Sequence, residues 1–259
     1  MSNSTVRQYA VGTVGVLAAL GLWQLASDVG PLASSPLPSA IEAIQTAFQL
    51  FGSAEMWQAT GATVYMALLG LSIATVAGVL LGVAIGVSPL AMHATRVPLE
   101  FLKPIPPIVI LPVVSLLLGP TAGMGVFLVF IGCFVSIVVQ ASAGVFDTDP
   151  VAKATGESYG LGKGEIMRSI VLPSSLPYIG TAVRVAAPTS LIVAVVAGLL
   201  GGGPGLGQSL LLSQISGNQP QLFAYVLILG ILGLVVQGLS QWGERRLLHW
   251  HPQYRKQAV

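Results

Sequence analysis

The sequence predicts an all-α, polytopic membrane protein, and three observations predict it. Of 259 residues, 54% are hydrophobic and 8% are charged, where a soluble domain carries about a quarter charged residues. So few charges cannot solvate a globular surface. Apolar runs recur near the length of about 20 residues that a spanning helix needs. Basic residues also cluster: no Lys or Arg occurs between Arg7 and Arg96, between Lys103 and Lys153, or between Arg184 and Arg245.

Six spans follow in order. The first covers residues 9–29 and the second residues 58–87. The third, residues 105–118, is short and rich in proline. The fourth covers 123–145, the fifth 176–200 and the sixth 222–242. Cytoplasmic loops hold the positive charge. Arg7, the 96–103 stretch, the 153–168 stretch and the 245–256 tail are therefore expected in the cytoplasm, with both termini inside. The first apolar segment lacks a strongly basic flank and an Ala-x-Ala site, so it reads as a retained span and not a cleaved signal peptide.

Between the first two spans, "SPLPSAIEAIQTAFQLF" places Ile41, Ile44, Ala47, Phe48 and Phe51 at helical spacing. An amphipathic helix within residues 36–52 is expected, either lying on the outer membrane face or packed on the bundle. Gly78, Gly82 and Gly86 recur every fourth residue in the second span, which permits close helix approach inside the bundle or across a dimer. In the third span "KPIPPIVILP" removes several amide donors. It predicts either a plain kink or irregular backbone beside a wet pathway.

The chemistry is mostly exclusion. A single Cys133 rules out a disulfide framework within the chain. A net charge of +2 gives no case for nucleic acid. "GLGKGE" fails as a phosphate loop: Gly164 stands where Ser or Thr would meet magnesium, and Glu157 replaces the first glycine. "GGGPGLG", residues 201–207, has no lysine. No ATP site, metal site or cofactor is expected in this chain. His93, His249 and His251 read as solvated, without a metal-ligand set. No paired carboxylates or nucleophile–base set suggests an enzyme.

Arg184 is the charge expected within a span, as an anchor or as a contact for an anionic substrate. Ser115, Ser136, Gln140, Thr189 and Ser190 are candidate lining residues of a path, or else bond helix to helix. The absence of mid-span acids or histidines weakens a proton- or sodium-driven carrier.

One stretch gathers charge against the trend. "ATGESYGLGKGEIMRSIVLPSSLPYI" carries Lys163, Glu165 and Arg168 between two expected short helices around Gly160. It resembles the cytoplasmic coupling loop of ABC importer permeases, with Gly160, Ile170, Leu172 and Pro173 at the family's spacing. "PLPSAIEAI", "LLGVAIGVSP", "EFLKPIPPIVILP", "GGGPGLG" and "ERRLLHWHP" resemble the binding-protein-dependent branch for nitrate, taurine and other sulfonates, and bicarbonate. The likeness runs over nearly the whole chain.

It implies a type I importer permease: a single domain over residues 1–259 in a bacterial plasma membrane, with its coupling loop at 149–177. It also implies a second permease copy, most simply a homodimer, two cytoplasmic ATPase subunits that bind ATP and magnesium, and an extracytoplasmic binding protein. Gly160, Leu161, Gly162, Lys163, Glu165, Ile166, Met167, Arg168, Ile170, Leu172 and Pro173 would then meet the ATPase or hold the loop. Pro173 is expected in the first turn of the fifth span. Three departures stand out. Ala154-Thr155-Gly156 replaces the family's Glu-Ala-Ala, Leu117-Leu118 replaces a frequent Trp-Phe, and Ala197-Gly198 replaces a frequent Ala-Glu. The last two make the path more apolar than usual for a small anion. That keeps an apolar or aromatic acid or a vitamin precursor as a second substrate class, and a secondary carrier or channel as a rival function.

Overall fold

Caps and prolines set where the helices begin. The computed structural model describes residues 3–29 and 36–250. It holds α1 (Asn3–Asp28), α2 (Ala40–Phe51), α3 (Ala54–Val87), α4 (Pro89–Leu102), α5 (Pro107–Leu118), α6 (Ala122–Phe146), α7 (Pro150–Ser158), α8 (Lys163–Ile166), α9 (Leu172–Gly201), α10 (Leu206–Ile215) and α11 (Gln219–Leu247). A π-helical turn, Met167–Val171, joins α8 to α9. Ser39 and Glu42 form a reciprocal capping box at α2, which satisfies two donors that a helix start leaves unpaired. Ser88 and Thr121 cap α4 and α6 more simply, each accepting one backbone amide. Among the described residues there is no strand. Arg255, Lys256 and His251, expected in the cytoplasmic tail, lie outside the described residues.

The chain divides into two compact units. One comprises residues 1–59 and 209–231. Here the Trp23 indole donates to the Pro38 carbonyl at 3.1 Å, and the Ile41 amide donates to Gln24 Oε1 at 3.2 Å. The Trp23 ring lies 5.6 Å from that of Phe223. The buried face of α2 is Ala40, Ala43 and Ala47, while Ile41, Phe48 and Phe51 are exposed. The expected apolar stripe is thus split. Small residues allow close packing, and the large ones face outward, as suits a helix bathed in lipid.

The other unit comprises residues 60–208 and 232–259. Its α3 lies on α6 so closely that glycine is required at the crossing. A β-carbon on Gly82 would come within 2.6 Å of Ala141 Cβ and 2.7 Å of the Val138 carbonyl. Gly78 and Gly86 meet Ile137 and Val145 in the same register. The glycine repeat therefore serves packing within the chain. Next, α6 packs along α9, with Leu128, Cys133 and Ile137 among the core residues facing Ala182, Ala186, Ala194 and Ala197. The glycine loop 201–207 folds α10 back toward α9. A β-carbon on Gly207 would collide with the Val195 carbonyl, and the Leu206 amide donates to Thr63 Oγ1 at 2.9 Å.

Five helices are long and apolar enough to span a bilayer, and α4 with α5 makes a sixth as one span bent by 83°. One expectation needs correction. The 96–103 stretch is not a loop: Arg96 and Glu100 sit within α4, which its charges and Pro98 hid from a hydropathy reading. Pro173 is the second residue of α9, in its first turn as expected, but α9 is not a free start. The helical run continues from α8 through the π turn into α9, from Lys163 to Gly201. Before the proline, the Leu172 amide reaches back to the Met167 carbonyl. This wide π turn accommodates the donor that Pro173 lacks. The short α10 was not expected at all.

Candidate functional site

The charged stretch is built as a turn held to the bundle from below and open above. Asp149 caps α7 by accepting the Val151 amide at 2.8 Å. That helix ends in a paired turn: the Leu161 amide donates to the Gly156 carbonyl at 3.0 Å and the Gly160 amide to Glu157 at 2.9 Å. Gly160 adopts φ +80°, the left-handed conformation that this helix terminus favours and that a β-carbon strains. Gly156, in the place of the family's second alanine, is buried, and a β-carbon there would lie 2.9 Å from Ile170 Cδ1.

The residues then divide by environment. Ile166 and Val171 are buried with Val145, and Met167 and Ile170 pack against that cluster. Leu172 and Pro173 are half-buried in the same run of helix. Leu161, Gly162, Lys163, Glu165 and Arg168 are exposed. Glu165 is not simply a rim charge, because its carboxylate accepts the Gly162 amide at 2.8 Å and so starts the helix. Two further exposed residues escaped the sequence reading. Tyr159 is 84% exposed and Val151 69%. Both stand on the same segment as the exposed Lys163 and Arg168.

Arg184 is an ion-pair member. Its Nε lies 3.0 Å from Glu244 Oε2. The Glu244 side chain is 4% exposed and the Arg184 side chain 38%. Thr181 donates to Glu244 Oε1 at 3.1 Å. Sequence reading missed Glu244 because the sixth span was ended at Trp242, whereas α11 continues to Leu247. Beside the pair, α9, α11 and Thr75 line a cavity of about 370 Å³.

The other candidate lining residues separate. Ser136, Gln140 and Thr189 line one cavity of about 200 Å³ together with Lys103, Gly132 and Cys133. Arg184 lines the cavity beside α11 instead. Ser190 is buried and donates to the Ala187 carbonyl at 2.7 Å. Ser115 is half-buried on α5. Toward the N-terminal end of α6, Pro107, Ile108, Leu111, Leu128, Ile192 and Val196 help line a wholly apolar cavity of about 190 Å³. Among the described residues, no group of His, Cys, Asp and Glu could hold a metal ion.

Comparison with known proteins gives the family and the fold. Residues 74–249 match the family described as "Binding-protein-dependent transport system inner membrane component". SsuC of Escherichia coli K12, a permease ascribed to aliphatic sulfonate transport, is 29% identical over 93% of this chain and 90% of its own. The taurine transport system permease TauC of the same strain is 26% identical over 93% and 89%. The nitrate import permease NrtB of Leptolyngbya laminosa is 25% identical over 92% and 87%. In fold, the chain is similar to an inward-facing structure of the MetNI methionine ABC transporter. The TM-score is 0.65 at 18% identity, covering 75% of this chain and 98% of that one. A match across more than half its length places the chain in the binding-protein-dependent family of inner membrane transport components, as a multi-pass ABC importer permease and not an enzyme.

Proposed function

We propose that the chain forms one half of the translocation path of an ATP-driven importer for a small anion, such as a sulfonate, taurine or nitrate, delivered by an extracytoplasmic binding protein. A second copy of the chain completes the path. Two cytoplasmic ATPase subunits bind ATP and magnesium and press on the 149–177 segment, and both termini lie in the cytoplasm. One observation carries the reading: the segment around Gly160 is anchored by Ile166 and Val171 yet bares Val151, Tyr159 and Leu161 beside Lys163 and Arg168. An apolar patch with a charged rim suits a soluble partner, the rim setting orientation and partner choice.

Purification tests it. The tagged chain is expected to carry its ATPase through size exclusion, and the chain stripped of that subunit should hydrolyse no ATP. Turnover by the rigorously stripped chain would overturn the division of labour.

A second substrate class keeps support from the apolar cavity of α5, α6 and α9, together with Leu117-Leu118 and Ala197-Gly198. A more apolar or aromatic acid, or a vitamin precursor, would suit that lining. Ligand screening of the cognate binding protein by thermal shift separates the two classes.

A further inference from the structure

We propose that Lys103 makes the cavity between α6 and α9 an anion subsite, so that the path selects for negative charge near its middle. The inference deepens the permease reading and rests on it. It begins with depth. A β-carbon on Gly132 would lie 2.8 Å from Pro107 Cγ, and Gly132 is the eleventh of the 25 residues of α6. The break between α4 and α5 therefore sits near mid-length of a spanning helix. Lys103 caps the C-terminus of α4 at that break. This replaces the cytoplasmic position expected for Lys103: its side chain is exposed beside the middle of α6, where a lysine is costly unless water or an anion meets it. Irregular backbone at such depth is tolerated where it is buried in protein or lines a wet cavity.

The surroundings suit an anion. The cavity is lined by Lys103, Gly132, Cys133, Ser136, Gln140, Ala182, Val185, Ala186 and Thr189, with no carboxylate. The nearest acid along α4, Glu100, pairs with Arg96 at 3.0 Å and lines a different groove beside Met92 and His93. Among the described residues no carboxylate pairs with Lys103. Ser136 and Gln140 are four residues apart on α6, so they share a face. A hydroxyl and an amide there can donate to an oxyanion. Thr189 directs its own hydroxyl to the Val185 carbonyl at 3.1 Å, so it shapes the wall and does not donate inward. A small sulfonate, nitrate or carboxylate meets one ammonium and two neutral donors. A cation can use the same hydroxyl and amide oxygens but is repelled by the Lys103 ammonium, so the lysine alone sets the charge preference.

The subsite can be read without knowing the transported solute. In the assembled permease–ATPase complex in membrane vesicles, Cys133→Ser removes the native thiol and Ser136→Cys supplies a reporter. Its modification rate is measured with an anionic sulfonatoethyl and a cationic trimethylammonioethyl methanethiosulfonate. The anionic-to-cationic rate ratio is expected to fall about tenfold when Lys103→Gln is added, the scale on which a charged cleft enriches its counter-ion. Lys103→Arg should keep the ratio. A ratio indifferent to Lys103, or a reporter that neither reagent reaches, overturns the subsite. Co-purification of the ATPase is scored on the same samples. Its loss would overturn the permease reading while leaving the rate ratio intact, so the two failures are distinguishable.

Discussion

Gly160→Val is expected to leave the chain in the membrane and abolish its coupling to the ATPase. A β-carbon at Gly160 meets nothing within 4 Å, so the substitution creates no clash. Its effect is conformational. At φ +80° an ordinary residue pays roughly 1–2 kcal/mol to remain left-handed, and a β-branched one is a genuine outlier there. If Gly160 leaves that region, the Leu161–Gly156 and Gly160–Glu157 bonds go with it. Tyr159 and Leu161 are then displaced from Lys163 and Arg168, although Ile166 and Val171 stay anchored. Gly160→Asn is the control, because asparagine tolerates the left-handed region better than other side chains. Bound ATPase and hydrolysis stimulated by loaded binding protein should fall at least tenfold in the valine variant and be largely kept in the asparagine variant. Equal behaviour of the two would show that backbone conformation at Gly160 is irrelevant to coupling.

Arg184→Ala is expected to destabilise the assembled chain, because it strands Glu244. Removing one partner of a buried pair costs about 3–5 kcal/mol when the other charge is left without compensation. The lower part of that range applies here, since the Arg184 side chain is 38% exposed and Thr181 still donates to Glu244. Glu244→Ala leaves Arg184 unpaired and costs less, because arginine can reach toward water. The double replacement should be more stable than the sum of the two losses predicts, by about 0.5–3 kcal/mol, as expected for contacting residues. Arg184→Lys should recover part of the stability, having the charge without the planar fork. The readout is thermal unfolding of the purified complex. Strict additivity would mean that the 3.0 Å approach contributes no energy of its own.

Much of this architecture was legible in one sequence, and the reasons are physical. Basic residues confined to a few stretches and apolar runs of spanning length are one-dimensional signals, so spans in α1, α3, α6, α9 and α11 could be read directly. The break near Pro104–Pro107 was legible because proline acts on its own backbone. What failed to show depends on neighbours far away in the chain. Glu244 meets Arg184 across sixty residues, and its polar flank, "QWGERR", read as the start of the cytoplasmic tail beyond the sixth span. The helical state of Arg96 and Glu100 was masked by their charges, although Ser88 and Pro89 spell a helix start. On α2 the expected stripe followed residue size, whereas packing selected the alanines. In the segment around Gly160 the glycine and charges were legible, but the bared Tyr159 and Val151 were not, since exposure is a property of the folded surface.

The central claim is that this chain is a conduit driven by a separate ATPase. Solute uptake into proteoliposomes tests it most directly, with the permease complex, its binding protein loaded with ligand found by thermal shift, and ATP or no ATP on the ATPase side. The account predicts uptake that requires ATP, binding protein and ATPase together, and that collapses under an ion gradient alone. Uptake by the purified chain without its ATPase, driven by a proton or sodium gradient, would contradict it.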